Sequence, residues 1–323
     1  MNNILIVTDT FEQVNGVSTT YKNMIAEYDG EITVAHPGLW SYTASKLYPE
    51  VQICYQPFKA YAYFEMVKPC HVHIATEGVL GLTARIYCKM YNIPYTTAYH
   101  TKFPEFLWEL ANVPKWLTYA YLRWFHKKSK AILVPTLSCM EELSKRGFNN
   151  LRLWTRGVSA EMISDKTPTK TERLKLLNVG RISKEKNLDV LCKLTDKYDV
   201  TIVGDGPYLE ELKAKYPAAK YLGYKFGKEL ADIYATHDVF VFPSLTDTFG
   251  IVIIEALCNG TPVAAFNVTG PKDIIQDGYT GSMCDDLEQS IAICARLNRD
   301  VIKQESTKWS WGKCLSTFLN ALR

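Results

Sequence analysis

The sequence predicts an α/β protein built from two Rossmann-like, doubly wound domains facing a central cleft. Three observations carry this. Short apolar runs alternate with segments of helical periodicity, the grammar of βαβ units and parallel sheets. The alternation stops near residue 157 and restarts after residue 171. The 323 residues, 47% of them apolar and 22% charged, suffice for two cores at roughly 150 residues per domain.

In the first series, residues 4–7, 32–35, 72–75, 95–98 and 132–135 read as strands. Each run is nearly continuous in apolar residues, as a parallel strand covered on both faces requires. Helical spacing lies between them, at Leu82, Ile86 and Met90 and at Met140 and Leu143. The break at 156–171 holds Gly157, Asp165 and Pro168 and has no apolar period, so it reads as a linker. The second series has strands at 176–179, 200–203, 239–242 and 262–265. Its helical segments carry Leu188, Leu191 and Leu194, then Leu209 and Leu212, then Ile251, Ile254 and Leu257. The predicted organisation is therefore a domain at 1–157, a linker at 158–171, a second domain at 172–305 and a closing helix at 306–323, anchored by Trp309 and Trp311.

Composition excludes several classes. The net charge of 37 − 34 = +3 is far below that of a non-specific nucleic-acid binder. The excess belongs to the first half: residues 1–157 hold 16 Lys and Arg against 12 Asp and Glu, and residues 158–323 hold 21 against 22. No apolar run approaches the roughly 18 residues of a membrane span. The start, Met1-Asn2-Asn3 before Ile4, lacks a basic n-region and a cleavage site and reads as a first strand rather than a signal peptide. Nine cysteines without a C-x-x-C pair read as reduced thiols of a cytoplasmic protein, with neither zinc nor a disulfide framework.

Three segments could carry chemistry. Gly16, between the first strand and a helix, lets backbone approach an anion at a helix start, or serves a plain tight turn. Neither a G-x-G-x-x-G nor a G-x-x-x-x-G-K-[ST] motif is present, which argues against nicotinamide and P-loop chemistry. Arg181 and Lys186 follow the first strand of the second domain, where two cations could neutralise a diphosphate or form a solvated basic loop. In the third segment, Asp247 precedes Gly250, which opens an apolar helix whose amides suit phosphate or sugar oxygens. Glu255 on that helix needs hydrogen-bond donors, which sugar or ribose hydroxyls would supply; a capping Asp247 and a salt-bridged Glu255 are the alternative.

These residues, in order, form a pattern. Gly180-Arg181 with Glu185-Lys186-Asn187, followed by Asp247-x-Phe249-Gly250-x4-Glu255, resembles the retaining glycosyltransferases of the GT-B fold, family 4. Further stretches resemble the branch with GDP-mannose-dependent mannosyltransferases and sulfoquinovosyl- or glucosyl-diacylglycerol synthases. They include Thr8-Asp9, Val14-Asn15-Gly16-Val17, His36-Pro37-Gly38, Tyr48-Pro49-Glu50, Ala75-Thr76-Glu77-Gly78, the 100–106 segment and Trp154-x-Arg156-Gly157. The resemblance implies that Gly16 approaches the donor diphosphate and that Arg181 and Lys186 grip it. It implies that Glu255 holds the ribose, that Asp247 binds the transferred sugar, and that amides near Phe249, Gly250 and Ile251 bind sugar and phosphates. It places His100 as the active-site histidine, Glu77 and Lys102 on the acceptor side in the first domain, and the base near Tyr224. It also sends the closing helix back to the first domain. The chain departs from the commonest pattern in having Asp247 where many members have Glu, one methylene shorter, which leaves the preferred sugar open.

The implied activity is transfer of a hexose, mannose or glucose, from a UDP- or GDP-sugar to a hydroxyl of a lipid or glycan. No cofactor and no metal is expected, since two cations and helix-start amides can stabilise the departing diphosphate. The same chemistry on a hydroxymethylated DNA base, and a non-catalytic nucleotide-sugar-binding protein, are the alternatives. His71-x-His73 could ligate metal, yet no third ligand has sensible spacing, so buried or cleft-edge histidines are the expectation. The Trp- and Lys-rich segment 113–130 could face anionic lipid, another polyanion or the core. A peripheral position on the inner membrane face is thus open, and nucleic-acid contact is disfavoured.

Overall fold

A computed structural model describes residues 3–13, 15–44 and 52–323; Val14 and Tyr48-Pro49-Glu50 lie outside the described residues. The chain divides into two compact units, Met1–Arg156 with Trp311–Arg323, and Gly157–Ser310. The first unit contains strands β1 (Ile4–Val7), β2 (Ile32–Ala35), β3 (Tyr42–Ala44), β4 (Gln52–Cys54), β5 (His71–Ile74), β6 (Tyr95–Ala98), β7 (Ile132–Val134) and β8 (Leu151–Leu153). Six of them form a parallel sheet in the order β2-β1-β5-β6-β7-β8, while β3 and β4 pair antiparallel. Ile4 stands opposite Ile32 on one side and His71 on the other. No residue of β1 is more than 1% exposed, which is why it is apolar throughout.

The second unit contains β9 (Lys175–Val179), β10 (Asp199–Val203), β11 (Lys220–Tyr221), β12 (Val239–Phe242), β13 (Val263–Ala265) and β14 (Gly281–Met283). They form one parallel sheet in the order β11-β10-β9-β12-β13-β14. Both units are thus parallel α/β Rossmann-like folds, as the alternation predicts. In the second unit the strand order reverses between β9 and β12, and in the first between β1 and β5. Open α/β sheets bind ligands outside the carboxyl ends of strands at such a reversal. The loops after β9 and β12 are those that carry Arg181, Lys186 and Asp247.

The boundaries differ from the predicted ones. Residue 158 opens no free linker: Val158 is buried in the second core, and its amide donates to Trp309 O. Ser164 is also buried there, bonded to Asn259 and Asp232. Residues 306–310 stay with the second unit, and Trp309 packs edge-on against Phe249 rather than anchoring the closing helix. The closing helix is Trp311–Leu322, which buries Trp311, Cys314, Leu315, Phe318, Ala321 and Leu322 in the first unit. That spacing is one helical face.

Candidate functional site

In the second unit, β12 pairs with β9 only at Val239 and Phe240. Beyond them the ladder ends, and Asn178 Nδ2 bridges to Val241 O at 2.9 Å. The loop after β9 begins at Gly180, with φ of 149°. It is braced by the loop after β10, where only glycine fits: a Cβ on Gly204 would lie 1.9 Å from Gly180 O, and one on Gly206 2.3 Å from Ile182 O. Half-buried Arg181 stands directly after Gly180. Asn187 closes the loop in a left-handed conformation (φ 56°), and its Nδ2 donates to Pro243 O at 3.2 Å. This bond ties the loop after β9 to the loop after β12.

That tie brings together two residues 61 positions apart. Lys186 Nζ donates to both oxygens of Asp247, at 2.6 and 2.8 Å. Burial alone would raise the Asp247 carboxyl, but the Lys186 charge and hydrogen bonds, with help from Ser244, hold it below its ordinary value. Asp247 is therefore an ionised acceptor, with oxygen lone pairs available to hydroxyl donors beside an ammonium.

Gly250, in the left-handed region with φ of 88°, precedes the helix Ile251–Cys258, and no side chain caps that helix start. Buried Phe249 and half-buried Ile251 flank it. Gly270 lets the loop after β13 press on this segment, since a Cβ there would stand 3.0 Å from Phe249 O and 3.1 Å from Asp247 O. Glu255, one turn into the helix, accepts from Tyr234 Oη at 2.9 Å. Burial pushes its carboxyl up to about 7, against the Tyr234 hydrogen bond. Tyr224 is exposed and stacks on Phe226, with ring centroids 5.9 Å apart.

The raised Glu255 carboxyl has a stability consequence. Its ordinary value is 4.5, so the folded state holds a proton that the unfolded chain releases between pH 4.5 and 7. Stability therefore declines as pH rises through that window. Glu255→Gln keeps an acceptor for Tyr234 and should raise the melting temperature at pH 8 by about 3–6 °C while changing it little at pH 5. Thermal unfolding at the two pH values checks this, and an equal shift at both would contradict it.

The first unit places its predicted residues differently. Gly16 is exposed and opens the helix Gly16–Ala26, but Asn15 Oδ1 already accepts from the amides of Val17 and Ser18, each at 3.0 Å. Anion approach there is confined to Gly16 itself, in contrast with the helix start at Gly250. At the β1/β5 reversal, buried Asp9 accepts from Thr76 Oγ1 at 2.7 Å and from Leu80 N at 3.2 Å. Burial raises its carboxyl to about 6 against these bonds. Glu77 faces inward, 3.3 Å from His126 Nε2, and Lys102 pairs with Glu142 at 3.2 Å. Of the two acceptor-side charges, Lys102 is thus already paired within the unit.

His100, at the carboxyl end of β6, has both ring nitrogens engaged. Nδ1 is 2.9 Å from Arg156 Nη2, and Nε2 is 2.8 Å from Tyr21 Oη. His71 and His73 are both buried. Burial lowers them to about 4 and about 3, aided by Lys130 for His71 and by His71 and Arg156 for His73. Among the described residues no group of three metal-ligating side chains occurs.

Sequence reasoning missed Gly204, Gly206, Tyr234, Gly270 and, in the first unit, Tyr21, and it gave no bracing role to Asn178 or Asp9. Gly204-x-Gly206 directly after an apolar strand was a usable signal. The others depend on which strands lie side by side.

A model of Glycosyltransferase Family 4 matches residues 14–162, and a model of Glycosyl transferases group 1 matches residues 159–312. A sulfoquinovosyl transferase of Arabidopsis thaliana is 32% identical over 282 residues, 76% of this chain and 54% of that protein. An alpha-monoglucosyldiacylglycerol synthase of Streptococcus pneumoniae is 26% identical over 329 residues, 86% of this chain and 74% of that protein. The chain spans 54–61% of the length of the first curated relatives it matches. Among solved structures, a sucrose-phosphate synthase from Thermosynechococcus elongatus shares the fold with a TM-score of 0.80 at 16% identity, covering 99% of this chain and 98% of that one. With two adjoining family models spanning residues 14–312 over two Rossmann-like units, the chain belongs to the GT-B glycosyltransferases of family 4.

Proposed function

We propose that the protein is a retaining, metal-independent glycosyltransferase that moves a hexose, mannose or glucose, from a UDP- or GDP-sugar to a lipid hydroxyl. The observation that carries this is the Lys186–Asp247 pair beside the uncapped helix start at Gly250, set at the β9/β12 reversal. Lys186, Arg181 and the helix-start amides bind the diphosphate and stabilise charge as it departs. Asp247 accepts from sugar hydroxyls, Glu255 from the ribose, and Tyr224 lies beside the base. In the reaction, the bond from the anomeric carbon to the β-phosphate oxygen breaks and the bond to the acceptor oxygen forms. The acceptor's proton passes to the departing phosphate.

The first unit supports the choice of a lipid over a glycan or a hydroxymethylated DNA base. A groove of about 440 Å³ is lined by Phe103, Leu107, Leu117, Ala120, Tyr121 and Trp124, and Trp108 and Trp116 are exposed. Residues 115–130 carry five Lys and Arg and no Asp or Glu. Exposed aromatic rings with adjacent cations match the interfacial zone of an anionic bilayer. No helix among the described residues is long and apolar enough to cross a membrane, so the proposed contact is peripheral.

Incubation with labelled UDP- and GDP-hexoses and with lipid, glycan or hydroxymethylated DNA tests the activity, expected as transfer to lipid with the anomer retained. Transfer to DNA alone would sink the lipid reading, and donor binding without transfer or hydrolysis would favour a binding protein. Flotation with vesicles tests the surface. Binding is expected with phosphatidylglycerol and not with phosphatidylcholine alone. Lys127→Glu with Lys128→Glu should weaken it by roughly tenfold or more. Equal binding to both vesicle types would refute the charge argument.

A further inference from the structure

The predicted active-site histidine sits in a chain of hydrogen bonds whose direction the chemistry of its members determines. A guanidinium only donates, so His100 Nδ1, 2.9 Å from Arg156 Nη2, is the acceptor. A neutral imidazole with Nδ1 accepting carries its proton on Nε2. His100 Nε2–H therefore donates to Tyr21 Oη at 2.8 Å. The single tyrosine proton then goes to His73 Nε2, 2.7 Å away, and His73 Nδ1–H donates to Thr96 Oγ1 at 2.8 Å. The two histidines thus hold opposite tautomers along one directed path.

The surroundings keep that path from rearranging. Tyr21 and His73 are fully buried. The His73 ring meets Phe318 at 4.9 Å, and Trp154 lies 5.7 Å from Tyr21 and 5.9 Å from His100. Arg156 is itself buried, bonded to Trp154 O at 2.8 Å and stacked on the Trp154 ring. Charging His100 would put a proton on Nδ1 against a guanidinium. Burial first, and Arg156 with His73 after it, accordingly hold His100 well below its ordinary value. Ionisable groups facing the path include Arg156, Cys314 and Glu77 around Tyr21 and His71 beside His73.

We propose that Arg156, Tyr21 and His73 are positioning residues that lock His100 as a neutral Nε2–H imidazole, so that His100 orients the transferring group and takes no proton from the acceptor. The second half rests on the glycosyl-transfer reading; the first half does not. The remote members of the path follow from geometry that no local motif displays.

Nitrogen-detected NMR of the full chain labelled in histidine reads the lock directly. His100 is expected as Nε2–H and His73 as Nδ1–H, with neither titrating between pH 5 and 8. A His100 that is Nδ1–H, or that titrates in that range, would overturn the proposal without any variant being made. Tyr21→Phe keeps the ring and removes the link. Arg156 still donates to Nδ1, so the His100 tautomer should persist, but Nε2–H loses its acceptor and the ring its second anchor, which should lower kcat about tenfold while leaving the donor KM within about twofold. Unchanged kcat in Tyr21→Phe would refute the positioning role. Wild-type protein inactive toward every donor and acceptor would overturn the glycosyl-transfer reading instead, and the spectra would still decide the lock.

Discussion

Lys186→Ala is expected to weaken donor binding by about a hundredfold or more, measured by calorimetry with UDP- and GDP-hexoses. Two losses combine. The ammonium's charge-assisted hydrogen bonds to the diphosphate are worth about 1.5–3 kcal/mol. The substitution also leaves Asp247 ionised without its partner, a carboxylate beside an incoming anion. Adding Asp247→Asn to the alanine variant removes that repulsion and should recover part of the affinity, a non-additivity expected only of groups in contact. The fold should survive, because the pair is partly solvated, with side-chain exposures of 26% and 23%, and such pairs contribute about 0–1 kcal/mol to stability. Unchanged donor affinity in Lys186→Ala would refute the placement of the diphosphate.

Phe318→Ala should cost about 3–5 kcal/mol and confine the damage to the first unit. Phe318 is fully buried and packs against His73 and Trp154, so its loss leaves a void beneath the β5 and β6 side chains. In a unit of this size the melting temperature should fall by about 10 °C. Calorimetry should show that transition moving while the other stays, and limited proteolysis should spare residues 157–310. A single unmoved transition would show that the closing helix adds little to the first core.

The central strands were legible because burial on both faces demands unbroken apolar runs, as at Ile4–Val7 and Val239–Phe242. Three of the four edge strands were not; only β2, at the predicted 32–35, was. Leu151–Leu153 alternates with an exposed Arg152, Lys220–Tyr221 is two residues long, and Gly281–Met283 has no apolar run. The hairpin of β3 and β4 was missed for the same reason. Candidate site residues were legible as types at a spacing, Arg181 and Lys186 after one strand and Asp247 to Glu255 after another. Their meeting was not, because the Lys186–Asp247 contact follows from β9 lying beside β12, a long-range pairing. Glu255 needed a donor, as its apolar helix implied, and Tyr234 supplies one from 21 residues away. The path from Arg156 to Thr96 draws on four separate elements, and no sequence window contains it.

The return of residues 311–323 to the first unit bears on the order in which the chain can mature as it is synthesised. The second unit is contiguous, so it can close as soon as residue 310 is free. The first unit emerges earlier but waits for Trp311 and Phe318 to cover Tyr21, His73 and Trp154. Until then its apolar sheet face is open to chaperones and to other nascent chains. The half made first is the half finished last.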